Sequence, residues 1–328
     1  MVICLLGHFR HEAGFMALDH FVSQVHLKNF YSDALGGRKM YAYRKSDLAT
    51  FPCNARDVCR ISDGSTNAFL TEPRILEDFL KNVEPKYNRA AQALAEERFG
   101  FNDVLVIAGF AAFVLSCSPT AMRLGASSLS KLAATEIELI ERMGELPPVP
   151  PVLGVASATE LVSSERLIVE TDPKFPQGMG ISQLPTLTKS LASYRWEIVK
   201  NPNSAATPFL TSDFPVATET PGPPAIRILP LRPDLAVRIH PVVRPPSLPD
   251  QLGDFRYRVL LASPHAVREI NRSIVQSAED FVFSPLATTG LAKLVKKYAN
   301  FRLEMDHLRI PRGTGFLLLN TIRPMQRD

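Results

Sequence analysis

The chain has 328 residues, 45% of them hydrophobic and 21% charged, a balance that excludes wholesale disorder and a coiled-coil rod and allows a core without disulfides or metals. Its formal net charge of +4 is too small to be a nucleic-acid footprint by itself. Proline is the outlier, with 27 residues against an average usage of about 5%, many of them in the second half.

Residues 1–15 open apolar, but they carry no basic n-region and their apolar run is too short for a signal peptide. Met16 stands just before LDHFVSQVHLKNF. The expectation is an over-called start or a disordered extension over 1–15, followed by a single domain over 16–328. His20 to Phe30 mixes two periodicities and reads as a short helix or turn with Phe21, Val25, Leu27 and Phe30 inward. GGRKMYAYRK (36–45) reads as a Gly-Gly turn and a strand, Met40 and Ala42 on one face and Tyr41 and Tyr43 on the other. Thr71-Glu72-Pro73 opens a helix with a threonine N-cap candidate. Its stripe of Leu76, Phe79, Leu80, Val83 and Tyr87 continues through Ala91, Leu94 and Ala95, and Pro85 is expected to kink or split it.

Val104 to Cys117 is the longest apolar stretch. It is shorter than the ~20 residues of a membrane span, so the expectation is a buried core helix, no membrane and a cytoplasmic protein. An amphipathic helix follows from about Ser118 to Met143. LPPVPPVLG (146–154) is a stiff connector, and GMGISQLPTLTKSLASYRW reads as a loop and a helix ending near Tyr194. The four cysteines, Cys4, Cys53, Cys59 and Cys117, lack zinc-site spacing and read as free thiols. Beyond residue 194 the runs RWEIVKN, PFLTSDFPVAT, AIRILPLR and LAVRIHPVV are short and β-rich, broken by Pro, Gly and Asn. Ser263 N-caps a helix with Pro264 at its first position, FVFS (281–284) is a strand, and Thr289 to Phe301 is a basic helix. Helices first and strands later, without βαβ alternation, predict an α+β fold: a helical N-terminal half packed on a C-terminal antiparallel sheet with additional helices.

DHFVSQVHLKNF resembles the opening motif of a bacterial family known as a domain of unknown function, DUF 4238. The family pattern is His-His-x-Val-Pro-Gln-x-Tyr-Leu-x-Asn-Phe. His20, Val22, Gln24, Leu27, Asn29 and Phe30 match it, while Asp19, Ser23 and His26 replace a histidine, the proline and the tyrosine. Trp196 with FLTSDFPV (209–216), the Pro230-Leu231-x-Pro233 step and NRSIVQSAEDFVFS complete an ordered set. The resemblance implies a shared fold and shared polar positions but no activity. Cys117 stands where the family has an arginine, so any active centre built on that arginine would be altered in this chain.

Five residues carry candidate chemistry. His20 and Gln24, four apart, would share a helix face: His20 as general acid or base and Gln24 as orienter, or His20 merely anchoring the segment through a backbone bond. Asp213 can bind a metal, orient His20 or act as base, and Ser212 can serve as nucleophile if a histidine reaches it. The competing reading is a turn that caps backbone N–H groups. Glu84, two helical turns from Glu77, can divide acid and base roles with it, or both can face solvent, Glu77 beside Lys81. His26 reads as structural. No zincin, nucleophile-elbow, P-loop or dinucleotide-binding motif is present in context, so no cofactor or metal is named. Lys293, Lys296, Lys297 and Arg302 can touch phosphates or complement the dipole of a solvated helix. The expected function is a hydrolase using His20, Gln24 and Asp213, with a nuclease as its first variant. The alternative is a non-catalytic binding or interaction protein in which these residues form a structural polar network.

Overall fold

The computed structural model describes residues 2–4, 18–219, 225–242, 255–313 and 315–327. The expectation for residues 1–15 falls almost wholly outside them. Among the described residues the helices are α1 (Gln24–Leu27), α2 (Ile75–Ala95), α3 (Phe101–Cys117), α4 (Pro119–Arg142), α5 (Ala158–Ser163), α6 (Lys174–Ser193), α7 (Pro264–Ser277) and α8 (Thr289–Tyr298). The fold is α+β.

A mixed five-stranded sheet has the order Tyr257–Leu261, Arg195–Lys200, Leu235–His240, Arg227–Arg232, Ala217–Thr218. The first of these strands runs parallel to its neighbour and the other pairings are antiparallel. An antiparallel four-stranded sheet orders Thr50–Cys53, Met40–Arg44, Phe281–Ser284, Thr211–Ser212. It joins residues 40–53 to residues 211–284. Met40 and Ala42 face the larger core with α1, α2, α3 and α6, whereas Tyr43 and Val282 face a smaller core under α7 and α8. That is why both faces of the Met40 strand are buried.

α3 is apolar on every side and buried along nearly its whole length, as a helix enclosed by others must be. No single helix among the described residues is long and apolar enough to cross a membrane. α6 lies against α3, and its start at Lys174 replaces the expected loop. Gly180 permits the approach: a Cβ there would stand 2.9 Å from Ser116 Cβ and 3.3 Å from Ser116 Cα and O. The N-terminal end of α6 pins the segment 63–67. Asn67 Nδ2 donates to the Lys174 carbonyl at 2.7 Å, Gln177 Nε2 to the Gly64 carbonyl at 2.9 Å and Lys174 Nζ to the Thr66 carbonyl at 3.0 Å.

Three local expectations change. α2 is one helix through Pro85 rather than two, because Val83, Tyr87, Ala90, Ala91 and Leu94 stay buried on one continuous face across the proline. It begins at Ile75, with Thr71-Glu72-Pro73 in the preceding turn and no side-chain cap. The C-terminus adds a hairpin the sequence reading lacks, Phe301–Arg312 paired with Gly315–Gln326. Pro311 and Pro324 hid it. A proline is tolerated on strands that lack a second neighbour.

Gly180→Ala sets the helix-propensity gain of about 1 kcal/mol against a collision with a Cβ and backbone that cannot swing aside. The collision is expected to win, lowering stability by about 1–3 kcal/mol. Denaturant unfolding checks it; an unchanged or raised midpoint would mean α6 and α3 are packed less closely.

Candidate functional site

His20 ends the strand Leu18–His20, which pairs antiparallel with Arg60–Ser62, and Gln24 opens α1. The two are therefore not on one helix, as the four-residue spacing suggested. They still meet, because Phe21 N–H donates to the Cys59 carbonyl at 2.9 Å and the chain turns at once into α1. A cleft of about 420 Å³ lies between this turn and the flank of α2. His20, Ser23 and Gln24 line one side, Glu77, Lys81 and Glu84 the other, and Asp19 and Ser65 complete it. Ser65 N–H donates to Asp19 Oδ2 at 2.9 Å, so the pinning of segment 63–67 by α6 also fixes this wall.

Among the described residues, two polar atoms on the first side are buried without a partner: His20 Nε2 and Ser23 Oγ. Ser23 precedes α1 but makes no side-chain cap. Burial lowers the His20 pKa below its ordinary value. The carbonyls of Arg56 and Ala55 raise it, Arg60 lowers it and the Glu84 carboxylate raises it. With those carbonyls drawing the ring proton and Nε2 unpartnered, the proton belongs on Nδ1 and the lone pair on Nε2. Glu84 thus acts on the same ring that Gln24 flanks. Glu77 is held by Arg74 and Lys81 by Asp78.

Ser212 and Asp213 do not reach this cleft. Both are buried. Ser212 Oγ accepts the Phe214 N–H at 3.1 Å. The Asp213 carboxylate accepts three successive amides, Glu279 N–H at 2.9 Å on Oδ1 and Asp280 and Phe281 N–H at 2.7 and 2.8 Å on Oδ2. Burial pushes its pKa up to about 6, against the downward pull of those amides. Ser212 makes the local turn contact of the competing reading, whereas Asp213 caps amides more than sixty residues away rather than those of its own turn. Thr211, just before them, meets His26. The fully buried His26 ring has Nε2 2.7 Å from Thr211 Oγ1 and Nδ1 2.7 Å from Tyr87 Oη, and it stacks on Phe110 with centroids 4.9 Å apart. One ring thereby links α1, α2, α3 and the four-stranded sheet. Sequence reasoning missed Thr211 and Tyr87 as its partners because nothing local pairs residues 26, 87 and 211.

A family model described as "Protein of unknown function (DUF4238)" matches residues 19–285. The chain belongs to this family. No curated protein and no solved structure matches it. The DUF4238 match covers the His20 turn, α2 and the Thr211–Asp213 motif, and it ends before α8 and the C-terminal hairpin. Cys117, in the position discussed above, is a buried free thiol whose pKa burial pushes up to about 12. It does not line the His20 cleft. Cys53 and Cys59 are likewise buried and free.

Among the described residues no group of three or more His, Cys, Asp or Glu side chains is placed to hold a metal ion. The four basic residues named for phosphate contact divide. Lys293 and Lys297 line a groove between α7 and α8. Lys296 does not, and Arg302 pairs with Glu304 and Glu279 on the C-terminal hairpin side.

Burial lowers the His26 pKa to about 3, so the native ring is neutral where an unfolded chain near 6.5 takes up a proton. The unfolded state then binds more protons as pH falls below 6.5, and stability falls with it, by about 2 kcal/mol between pH 7 and pH 5 from this group. The NMR signals of the His26 ring should stay those of a neutral imidazole down to pH 4.5. A titration near pH 6.5 would contradict the buried contacts.

Proposed function

We propose that the cleft at His20 is the functional site of this DUF4238 chain, and that it performs general acid–base hydrolysis of a small substrate that is neutral or cationic. The observation that carries the reading is a polar cleft lined by His20, Ser23 and Gln24, in whose wall His20 Nε2 and Ser23 Oγ are buried with no hydrogen-bond partner among the described residues. A buried acceptor without a partner costs about 1–3 kcal/mol. A guest bearing a hydroxyl, an amide or a water molecule relieves that cost at both atoms. A neutral imidazole with its lone pair on Nε2 is in the form that removes a proton from water. Glu84 favours the imidazolium that results, and Gln24 supplies both a donor and an acceptor to orient the guest.

The charge of the lining argues for the substrate class. Asp19, Glu77 and Glu84 face a single Lys81, so a phosphodiester would meet repulsion. This favours a hydrolase of esters or amides over a nuclease. The binding-protein alternative keeps one supporting observation, the backbone amides capped by Ser212 and Asp213, and turnover is what tells it from the catalytic reading.

Assays with panels of neutral and cationic esters and amides, and with a phosphodiester, separate these outcomes. Hydrolysis of a neutral or cationic substrate should fall at least 100-fold in His20→Gln and about tenfold in Glu84→Gln, with melting temperatures unchanged within a few degrees. The rate of the wild type should rise with pH as His20 loses its proton, with an apparent pKa below 6.5. Saturable binding without turnover supports the binding protein. Phosphodiester cleavage, or activity untouched in His20→Gln, contradicts the proposal.

A further inference from the structure

A second cavity shares no residue with the His20 cleft. It is a groove of about 550 Å³ between α7 and α8, within the range of small-molecule sites. Arg268 and Arg272 reach it from α7, and Lys293 and Lys297 from α8. Each pair is spaced i, i+4. Like charges at that spacing weaken a helix by a few tenths of a kcal/mol, and here two such pairs face each other across one groove. Among the described residues Glu269 is the one carboxylate on the wall, and it is engaged by Arg272 at 2.5 Å. Among the described residues, Arg268 and Lys293 have no carboxylate partner. The fold gains nothing from this concentration of positive charge, so an anion in the groove is the natural complement.

The rest of the lining gives the size and character of that anion. Val267, Leu291 and Leu294 make an apolar floor, and Tyr298 closes one end. Lys297 Nζ stands 5.2 Å from the Tyr298 ring centroid, and Phe301 braces the ring edge-on at 5.8 Å. At the other end Thr288 and Gly290 present the first turn of α8, ten residues long. Thr288 Oγ1 caps Leu291 N–H at 3.2 Å, while the amides of Thr289 and Gly290 precede the first intrahelical bond and suit a negative group. Among the described residues nothing but the Thr288 hydroxyl oxygen comes within 4 Å of where a Cβ on Gly290 would stand, so the backbone there is open.

We propose that this groove binds a nucleoside phosphate, its phosphates held by Arg268, Arg272, Lys293 and the start of α8, its base on the apolar floor beside Tyr298. An aromatic body suits a braced ring with a cation over it better than a flexible chain does. The site is independent of the His20 cleft.

Calorimetric titration of the full chain with adenosine triphosphate, inorganic tripolyphosphate and dodecyl phosphate tests the assignment. Adenosine triphosphate should bind saturably and at least tenfold more tightly than tripolyphosphate, and raising the salt from 50 to 500 mM should weaken it several-fold. Arg268→Glu and Lys293→Glu, both on exposed side chains, should each weaken it at least tenfold with unchanged circular dichroism and melting. Tyr298→Ala should weaken the nucleotide but not tripolyphosphate. His20→Ala should bind as the wild type does, which keeps this result separate from the cleft. No saturable binding of the nucleotide, equal binding by the charge-reversed chains, or preference for dodecyl phosphate would overturn the proposal.

Discussion

The Asp213 carboxylate gathers three successive backbone amides, those of residues 279–281, into one buried site. From the other side Lys45 works on the same segment: its Nζ donates to the carbonyls of Val275 and Ala278 at 3.0 and 2.7 Å, and Lys45 N–H donates to the Asp280 carbonyl at 2.8 Å. The end of α7 and the strand after it are thus held by an acceptor taking their N–H groups and a donor taking their C=O groups. Neither charge is bare: burial lowers the Lys45 pKa to about 8 against the upward pull of Asp213. A buried carboxylate is tolerable only when its oxygens are occupied by donors, and this one is.

From that anchor the four-stranded sheet takes its register. Thr211 and Ser212 pair with Phe283 and Val282, whose strand pairs in turn with Met40–Arg44. Thr211 then fixes His26, and His26 fixes α1 against α2 through Tyr87. The cleft at His20 is the gap left where the chain turns from the strand Leu18–His20 into α1, one wall made by that turn and the other by α2. Its geometry is therefore set by buried polar contacts that lie behind it rather than within it. Pro85 belongs to the same wall. It has no N–H to give the Lys81 carbonyl, so the helix passes the cleft with one backbone bond fewer.

Much of this was legible in the sequence. Ser263 and Pro264 mark the start of α7 and Ser118 the start of α4, because capping chemistry is local. The unbroken apolar run of α3 marks a buried helix. Phe21, Val25, Leu27 and Phe30 do turn inward, although the segment is strand, helix and 3-10 turn in succession. The failures are of two kinds. Pro85 in α2 and Pro311 and Pro324 in the hairpin read as breaks, yet tertiary packing and vacant sheet edges accommodate them. The other kind is long range. His20, Gln24 and Glu84 are each legible as polar candidates, but nothing in their spacing places Glu84 beside the other two. Asp213 is legible as a candidate too, but its partners lie at 279–281, where no side chain announces an interaction made by backbone amides. A reactive-looking Thr-Ser-Asp run and a backbone-binding one are the same letters.

The central claim, that Asp213 anchors the fold while the chemistry belongs to the His20 cleft, is tested most directly by native-state hydrogen exchange at Glu279, Asp280 and Phe281. These amides should be among the slowest in the wild type, opening only with global unfolding, and in Asp213→Asn, which keeps the size but loses the charge and one acceptor, they should exchange at least 100-fold faster. The amides of Gln24 and Val25 beside the cleft should exchange more readily in the wild type. Fast exchange at residues 279–281 in the wild type, or protection unchanged in Asp213→Asn, would contradict the account and free Asp213 for another role.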